Sequence, residues 1–540
     1  MGALAGWVAT TQREPQALVP MLESISHRGD APSAYVSATA VMGTHVSDEA
    51  AELAIAFDGA ILNRAELKKS LASRGYRFET GSDAEIALRA YQYWDKEVVK
   101  HLRGAFAIAL WDAGKERLLL ARDRFGEKPL YLLEQAGALY FASEAKALLR
   151  VPNVKIEVDM AAVGDYLRVG YVPGPRTLLA GIRKLPPGTY ALWQFARTRE
   201  VRYWTPPDKE SAGTPAAGDP VAGFIERLDD AVHLAMQSDA PVGALLTGGF
   251  DSAAIVALMR KHSERVTTFA AGFAEDKRSE LPAAARMAKQ LGTEHHELVL
   301  AQADVLARLP ELVASRDAPF TRPADVALHL LASQAAKSVR VALTGDGSDE
   351  ILGGYRRHTV LRNLPHGPKR MPGLFIVPVQ SPQEPETADL RQILYYEQTG
   401  WLPDNLLERT DRMMAAASLQ ARAPFLDHRV AEYVSALPDN LRVRGLATKW
   451  ILRAAAKQLL EGVTPRKAGF RIPVGDMMRG EGRDLLVEHL RGPRSLTRAY
   501  YQPEILDRML DEHLAAKRNH EDQLWTLLNL EIWHRTYRQS

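Results

Sequence analysis

The segment LLTGGFDSAAI, residues 245–255, places two glycines before an acid and a hydroxyl at the start of a predicted helix. Gly248 and Gly249 let the backbone approach an anion closely, and the free amides of the helix start point toward it. A carboxylate such as Asp251 suits a phosphate site only when Mg²⁺ lies between them, and Ser252 adds a hydroxyl donor. The segment therefore predicts a magnesium–phosphate site. A helix start with an ordinary Asp and Ser cap is the alternative.

A second glycine-bearing loop, GDGSDEILGGYRRH at residues 345–358, follows the predicted strand RVALT and carries Asp346, Asp349 and Glu350. Ligands of a parallel α/β sheet lie beyond the carboxyl ends of its strands, so neighbouring strands would bring the two loops together. Asp251 and Asp349 would then share the metal. A turn or a calcium site is the alternative, but the spacing does not fit the twelve-residue EF-hand loop.

The elements that position these loops follow a pattern of strand, turn and long helix from Val221 onward. PVGALLTGG leads into a predicted helix at 251–261, and RVTTFAAGF and RVALT predict two further strands. Strands that alternate with helices favour a parallel α/β sheet. The Pro-rich stretch 364–388 is predicted to be a surface excursion, and the chain from Leu390 onward is predicted to be mainly helical.

The first 205 residues have a different pattern. Short β-type runs such as ELAIAFDG and GALYFASE accompany predicted helices at 62–73 and 84–95, which favours stacked antiparallel sheets with helical cover. The stretch PPDKESAGTPAAGDP, residues 206–220, has little to bury and predicts an exposed linker. The sequence therefore predicts two domains, 1–205 and 221–540.

The composition excludes several classes of protein. None of the 540 residues is cysteine, which removes disulfides, thiolate nucleophiles and thiolate metal ligands. The 68 Lys and Arg nearly balance the 66 Asp and Glu, so there is no electrostatic footprint for nucleic acid and a small-molecule partner is favoured. Neither an export signal nor a membrane-spanning run is recognised, and we expect a cytoplasmic protein.

In these motifs the chain resembles the asparagine synthetase class, which includes the β-lactam synthetases. LLTGGFDS resembles the SGGxDS pyrophosphate loop of that class, with Thr247 in place of the first Ser. Further matching strings are LTGDGSDEILGGY, SLQARAPFLDH, TKWILRAA, PRKAGFRIP, FETGSDAEIALRAY, LRGAFAIALWD, LLLARDRFGEKPLY and FASEAKALL. The resemblance implies a degenerate glutaminase-like Ntn-type domain at 1–205. It further implies a PP-loop synthetase domain of the adenine-nucleotide α-hydrolase type, with a helical extension, at 221–540.

In this family a substrate carboxylate attacks the α-phosphate of ATP, giving an acyl-adenylate and pyrophosphate, and an amine then displaces AMP. The resemblance implies ATP and Mg²⁺ as cofactors, with Mg²⁺ held by Asp251 and Asp349. It assigns ATP and pyrophosphate binding to Leu246, Thr247, Gly248, Gly249, Asp251, Ser252, Ala271 and Gly345.

Two further residues receive catalytic roles from the resemblance. Lys467, in PRKAGF, would stabilise the charge that develops during adenylation and acyl transfer, and a solvated loop lysine is the alternative. Asp346 stands where relatives carry an acid or a tyrosine thought to help deprotonate the amine. Gln420 departs from the pattern, because asparagine synthetases usually carry Glu there. This change implies either a different substrate or an altered structural pair.

The amino-terminal half departs further from the family. Relatives that use glutamine begin Met-Cys-Gly and use the cysteine as nucleophile, whereas MGALAG aligns without a gap and places Gly2 there. The family's Asn-Gly pair, whose amide donates to the oxyanion, reads Asp58-Gly59, and a carboxylate would repel a developing negative charge. The segment of the glutamine-binding arginine is shortened, and only Ser82-Asp83 of the glutamine pocket looks intact. The sequence predicts a domain unable to hydrolyse glutamine.

The expected function is therefore an AMP-forming amide ligase without glutaminase activity. It would join a small-molecule carboxylic acid to ammonia or an amine in specialised metabolism, with no nucleic-acid or membrane partner; a homodimer is expected by analogy. The alternatives are an intramolecular lactam or macrolactam synthetase and an ammonia-dependent asparagine synthetase. An RNA-modifying enzyme is disfavoured because it needs a basic groove. A non-catalytic interaction protein is disfavoured because the synthetase residues are present.

Overall fold

The structure is a computed structural model that describes residues 2–11, 14–29, 33–48, 52–208, 218–273, 279–320, 322–360, 389–460 and 472–538. Lys467, the Pro-rich stretch 364–388 and residues 209–217 of the predicted linker lie outside these ranges. Within them, each helix is too short or too polar to cross a membrane.

The amino-terminal half consists of two antiparallel sheets. Their strands are β1 (Ala5–Ala9), β2 (Ser33–Val36), β3 (Ala40–Thr44), β4 (Val46–Asp48), β5 (Leu53–Gly59), β6 (Phe106–Asp112), β7 (Arg117–Arg122), β8 (Tyr131–Gln135), β9 (Ala138–Ala142), β10 (Ile182–Lys184), β11 (Thr189–Gln194) and β12 (Arg197–Arg202). One sheet has the order β10-β8-β9-β1-β3-β2 and the other β12-β11-β7-β6-β5-β4. The strands are joined by helices α1 (Leu18–Glu23), α2 (Arg64–Ala72), α3 (Asp83–Trp94), α4 (Val98–His101), α5 (Ala145–Leu148) and α6 (Met160–Val169).

The strand β6 shows why these sheets stack. Side chains alternate between the two faces of a strand. Phe106, Ile108 and Leu110 pack against the helical cover, whereas Ala109 and Trp111 pack against the other sheet. All of β6 is therefore buried. The predicted sandwich with helical cover is confirmed, and helices α2 and α3 match the two predicted helices.

The carboxyl-terminal half is built on a parallel sheet of strands β13 (Val242–Leu245), β14 (Thr267–Phe273), β15 (Glu294–Leu300), β16 (Val341–Leu343) and β17 (Gln420–Arg422), in the order β15-β14-β13-β16-β17. Every neighbouring pair is parallel, as predicted. The strands β15 and β17 are additions to the three predicted strands. β17 lies inside SLQARAPFLDH and is too short to give a periodic signal.

Helices surround this sheet and form the extension beyond it. They are α7 (Pro220–Met236), α8 (Phe250–His262), α9 (Leu281–Leu291), α10 (Gln302–Arg316), α11 (Ala324–Ala335), α12 (Ser348–Leu352), α13 (Arg356–Val360), α14 (Leu390–Tyr396), α15 (Glu408–Ala415), α16 (His428–Ala436), α17 (Trp450–Leu459), α18 (Val474–Arg479), α19 (Arg483–Leu490), α20 (Pro503–Leu514) and α21 (Glu521–Arg538). A π-helical segment, Glu397–Leu407, leads directly into α15 and contains Pro403, which cannot donate a backbone hydrogen bond. The predicted helical character after Leu390 is confirmed.

The two halves share one hydrophobic cluster. Trp7 and Tyr131 from the first sheet pack in the same cluster as Leu312 from α10 and Trp525 and Trp533 from α21. The hydroxyl of Tyr166 also donates to the carbonyl of Thr526 at 3.1 Å. The amino-terminal half therefore buries an apolar face against the carboxyl-terminal helices.

Candidate active site

The phosphate loop lies between β13 and α8, at the carboxyl edge of the parallel sheet. The Ser252 hydroxyl accepts from the backbone N–H of Thr247 at 3.0 Å, and the Thr247 hydroxyl accepts from the N–H of Gly249 at 3.2 Å. Gly249 is the N-cap of this helix, and no side-chain hydrogen bond caps it. The two hydroxyls brace the loop.

The two predicted loops meet, because β13 and β16 are adjacent parallel strands. A Cβ atom added to Gly345 would lie 3.0 Å from the Cβ of Asp251, so a larger residue there would press on the acid. Leu246, the residue after β13, is buried and its N–H donates to the carbonyl of Phe269 on β14, and Ala271 lies further along β14. These predicted nucleotide-binding residues therefore share one edge of the sheet.

Asp251 and Asp349 face the same cation, Lys449. Its Nζ lies 2.6 Å from Asp251 Oδ1, 2.7 Å from Asp349 Oδ1 and 2.9 Å from Ser348 Oγ. Burial lowers the pKa of this ammonium, but the two carboxylates outweigh burial and raise it. Two carboxylates that converge on one cation fit Mg²⁺, which proteins hold through one or two carboxylates together with substrate phosphates.

Lys449 was missed as a site residue by the sequence analysis. It lies in TKWILRAA, which contributed to the resemblance without a role for any single residue. Its backbone is left-handed, with φ +50°, at the residue before α17. A lysine before an apolar helix is ordinary in sequence, and only the fold reveals its two acidic partners.

Asp346 lies beside α15. Its Oδ2 accepts hydrogen bonds from the hydroxyls of Thr344 at 2.9 Å and Thr410 at 3.1 Å, and its Oδ1 is 3.8 Å from Arg409. The two hydroxyls fix the orientation of this carboxylate, and the nearby guanidinium adds positive charge beside it.

Arg322 is a second residue that the sequence analysis missed. Its guanidinium lies over the ring of Trp401 at 4.9 Å, and within the described parts of the chain it has neither an ion pair nor a hydrogen-bond partner. Burial lowers its pKa, although Tyr355, Asp325 and Glu350 act in the opposite direction. A half-buried guanidinium without a counter-ion can hold an anionic group of a ligand.

The position of the family's cysteine has no room for a side chain. A Cβ atom added to Gly2 would lie 2.3 Å from the carbonyl oxygen of Phe57 and 2.8 Å from Nε2 of His45. Contacts below 3.0 Å are essentially absent for real Cβ atoms. Ser82 caps α3, and Asp83 accepts from the N–H of Ile61, so both residues of the remaining glutamine pocket have structural partners.

Asp58 lies in a buried network of eight charges next to Gly2. Its Oδ1 accepts from the N–H of Gly2 at 3.1 Å, and its Oδ2 is 2.8 Å from Arg28. Burial alone would raise the pKa of Asp58, but Arg28 and Lys128 outweigh burial and lower the pKa to about 2. The network joins Arg28, Lys128, Lys146 and Arg412 to Asp58, Glu144, Asp317 and Asp411 through ion pairs of 2.7 to 3.4 Å.

Gln420 has a structural role that accounts for its departure from Glu. Its side-chain amide donates to the carbonyl of Gly59 at 3.1 Å, and its oxygen accepts from Arg422 at 3.3 Å. A glutamate carboxylate would oppose the Gly59 carbonyl without a proton between them. The amide therefore fits the contact between β17 and the strand that carries Asp58.

A cysteine at position 2 is expected to destabilise the protein. In Gly2→Cys the new side chain meets a backbone carbonyl that cannot rotate away, and overpacking of this kind costs roughly 2 kcal/mol. We expect the melting temperature to fall by about 5 °C and no glutamate to form from glutamine. Gly114→Cys is the control, because Gly114 is exposed, its backbone is not left-handed, and a Cβ added there would have its nearest atom at 3.5 Å. An unchanged melting temperature in Gly2→Cys, or glutamate production, would contradict the steric argument.

Comparison with known proteins identifies the families that each half of the chain resembles. The profile described as Asparagine synthase matches residues 223–535, and that described as Glutamine amidotransferase domain matches residues 1–204. The chain is 33% identical to a putative glutamine-hydrolysing asparagine synthetase of Mycobacterium tuberculosis, over 89% of this chain and 84% of the relative. It is 30% identical to asparagine synthetase 1 of Bacillus subtilis, over 89% of this chain and 85% of the relative. It is 28% identical to asparagine synthetase B of Escherichia coli, over 77% of this chain and 68% of the relative.

The fold and the site define an ATP-dependent carbon–nitrogen ligase that produces AMP. More particularly, the chain belongs to the asparagine synthase family.

Proposed function

We propose that this chain adenylates a small carboxylic acid and transfers the acyl group to free ammonia or an amine, without using glutamine. The proposal includes a glutaminase-like domain at 1–205, a linker at 206–220, a synthetase domain at 221–540 and a role in specialised metabolism. The claim that glutamine is not used rests on the lack of space for a side chain at Gly2. The contact of Asp251 and Asp349 with one cation supports the nucleotide site.

The adenylation step takes place at the carboxyl edge of the parallel sheet. A substrate carboxylate oxygen attacks the α-phosphorus of ATP, the bond to the bridging oxygen breaks, and pyrophosphate leaves. The braced loop, with Gly248 and Gly249, binds the pyrophosphate through backbone amides, while Leu246, Ala271 and Gly345 frame the nucleotide. Asp251 and Asp349 would hold Mg²⁺, which would offset the negative charge of the phosphates. Lys449 and Lys467 supply further positive charge.

Asp346 acts as the base in amide formation. The amine nitrogen attacks the acyl carbon, AMP leaves, and the carboxylate of Asp346 accepts the proton released from nitrogen. Thr344 and Thr410 hold this carboxylate in place. The amino-terminal domain contributes no ammonia, because Asp58 stands where an amide would stabilise an oxyanion and Arg28 already pairs with it.

Ammonia-dependent asparagine synthesis is the second candidate, and Arg322 favours it. A guanidinium that has no ion pair within the described residues suits a second carboxylate on the acyl substrate, as in aspartate. An intramolecular lactam synthetase would need the amine and the carboxylate in one substrate. Product analysis by mass spectrometry separates the two candidates.

The nitrogen source provides the test of this proposal. We expect pyrophosphate release and amide formation with a suitable carboxylic acid and ammonium chloride. With glutamine as the nitrogen source we expect turnover at least about 100-fold lower, because nothing attacks its amide. The measurement is pyrophosphate release over a panel of acids that begins with L-aspartate, together with glutamate release. Glutamate formation at a rate that matches amide synthesis would reject the proposal, as would ADP as the nucleotide product.

A further inference from the structure

The short helix α15 contacts the amino-terminal half on one side and Asp346 on another. Successive helical residues are about 100° apart, so positions 408, 411 and 412 share a side that 409 and 410 do not. Glu408 accepts from Lys184 at 2.7 Å and from the Tyr131 hydroxyl at 2.9 Å. On the other sides, Thr410 donates to Asp346 and Arg409 lies near it. The helix therefore links the amino-terminal half to the synthetase site.

Arg28 is the centre of the contact on the first side. Its guanidinium is fully buried and touches Asp58 at 2.8 Å, Glu144 at 2.9 Å and Asp411 of α15 at 2.8 Å. A guanidinium presents its donors in a rigid planar fork, so it fixes directions as well as distances. Asp411 directly follows Thr410, which donates to Asp346.

Asp58 completes the charge balance of this network. The four Arg and Lys and four Asp and Glu side chains of the network carry four positive and four negative charges, and His27 also contacts Glu144 at 2.9 Å. Asparagine, the residue that glutamine-using relatives carry at this position, would leave one positive charge in excess. A buried charge without compensation is strongly unfavourable. Asp58, which replaces the asparagine that would stabilise an oxyanion, thus supplies the fourth negative charge of the network.

We propose that Arg28 is a positioning residue of the synthetase reaction, which acts through Asp411 and Thr410 on the carboxylate of Asp346, and that Asp58 neutralises it. The former glutaminase centre has become part of the support of the second active site. This inference rests on the proposed role of Asp346 in amide formation.

Three variants separate positioning from stability: Arg28→Met, Asp58→Asn and the double variant. Both single variants unbalance the buried charges, and the double variant restores the balance, so we expect thermal stability to fall in each single variant and to recover in the double. Amide formation should depend on Arg28 alone. We expect its kcat to fall about tenfold or more in Arg28→Met and in the double variant, and to change less than about twofold in Asp58→Asn.

Two readouts test this pattern. The first compares ATP–pyrophosphate exchange with L-aspartate, which reports adenylation, with amide formation from ammonium. The rate of ATP–pyrophosphate exchange should stay within about twofold of the wild-type rate in every variant. The second is hydrogen exchange of residues 344–352, which needs no substrate and should quicken about tenfold when Arg28 is absent. Asp239→Asn is the matched control, because its pair with Arg64 also joins the two halves of the chain but is exposed.

The outcomes are distinct. Loss of amide formation in the double variant despite recovered stability, with faster exchange in 344–352, supports the inference. Parallel losses of both half-reactions, or unchanged hydrogen exchange at 344–352, would overturn it. Failure of the wild-type protein to show ATP–pyrophosphate exchange with any acid tested would instead count against the proposed function. Hydrogen exchange would still decide whether Arg28 positions the 344–352 segment.

Discussion

ATP–pyrophosphate exchange is expected to fall about 1,000-fold or more in the Asp251→Asn variant. The amide has nearly the shape of the carboxylate but lacks its charge, so the ligand set for Mg²⁺ loses one of two anionic oxygens. Lys449 keeps Asp349 as a partner, and the protein should remain folded. The measurement is exchange at saturating ATP and a fixed excess of MgCl₂, with the folded state checked by circular dichroism.

Asp239→Asn is the control for this variant. Asp239 lies before β13, with its side chain 87% exposed, and we expect its replacement to leave exchange unchanged. Near-normal exchange in Asp251→Asn would remove Asp251 from the metal site. Recovery at high MgCl₂ would show weakened metal binding, in agreement with the assignment.

The Lys449→Met variant is expected to lose both activity and stability. Removal of the ammonium leaves Asp251 and Asp349 facing each other without compensation, and the loss of one partner from a buried ion pair costs roughly 3 kcal/mol. We expect a lower urea midpoint without nucleotide and ATP–pyrophosphate exchange lower by about 100-fold. Mg²⁺ should recover part of the stability, because it neutralises the same two carboxylates.

Lys457→Met separates this effect from a general change in helix α17. Lys457 lies on the same helix but is exposed, so its replacement should alter neither the urea midpoint nor exchange. If the urea midpoint of Lys449→Met equals that of the wild-type protein, the electrostatic account of Lys449 is wrong.

The sequence predicts the parts of this molecule that depend on neighbours along the chain. Glycines before a helix that begins with Asp and Ser predict the phosphate loop, and apolar runs between turns predict β13, β14 and β16. Lys449 is not predictable in this way, because its partner Asp251 is 198 residues away. The contact of Arg28 with Asp411 spans 383 residues. The first pair follows from packing within the carboxyl-terminal half and the second from packing between the two halves, and no local pattern encodes either. The assignments of Lys467 and the domain boundaries stay predictions.

The shared hydrophobic cluster between the two halves gives the amino-terminal half a role in stability that does not depend on its chemistry. Trp525 and Trp533 of α21 and Leu312 of α10 are almost completely buried beside Tyr131. Deletion of the first half would expose these rings to water and favour aggregation. We therefore expect the amino-terminal half to be required for solubility whether or not it hydrolyses glutamine.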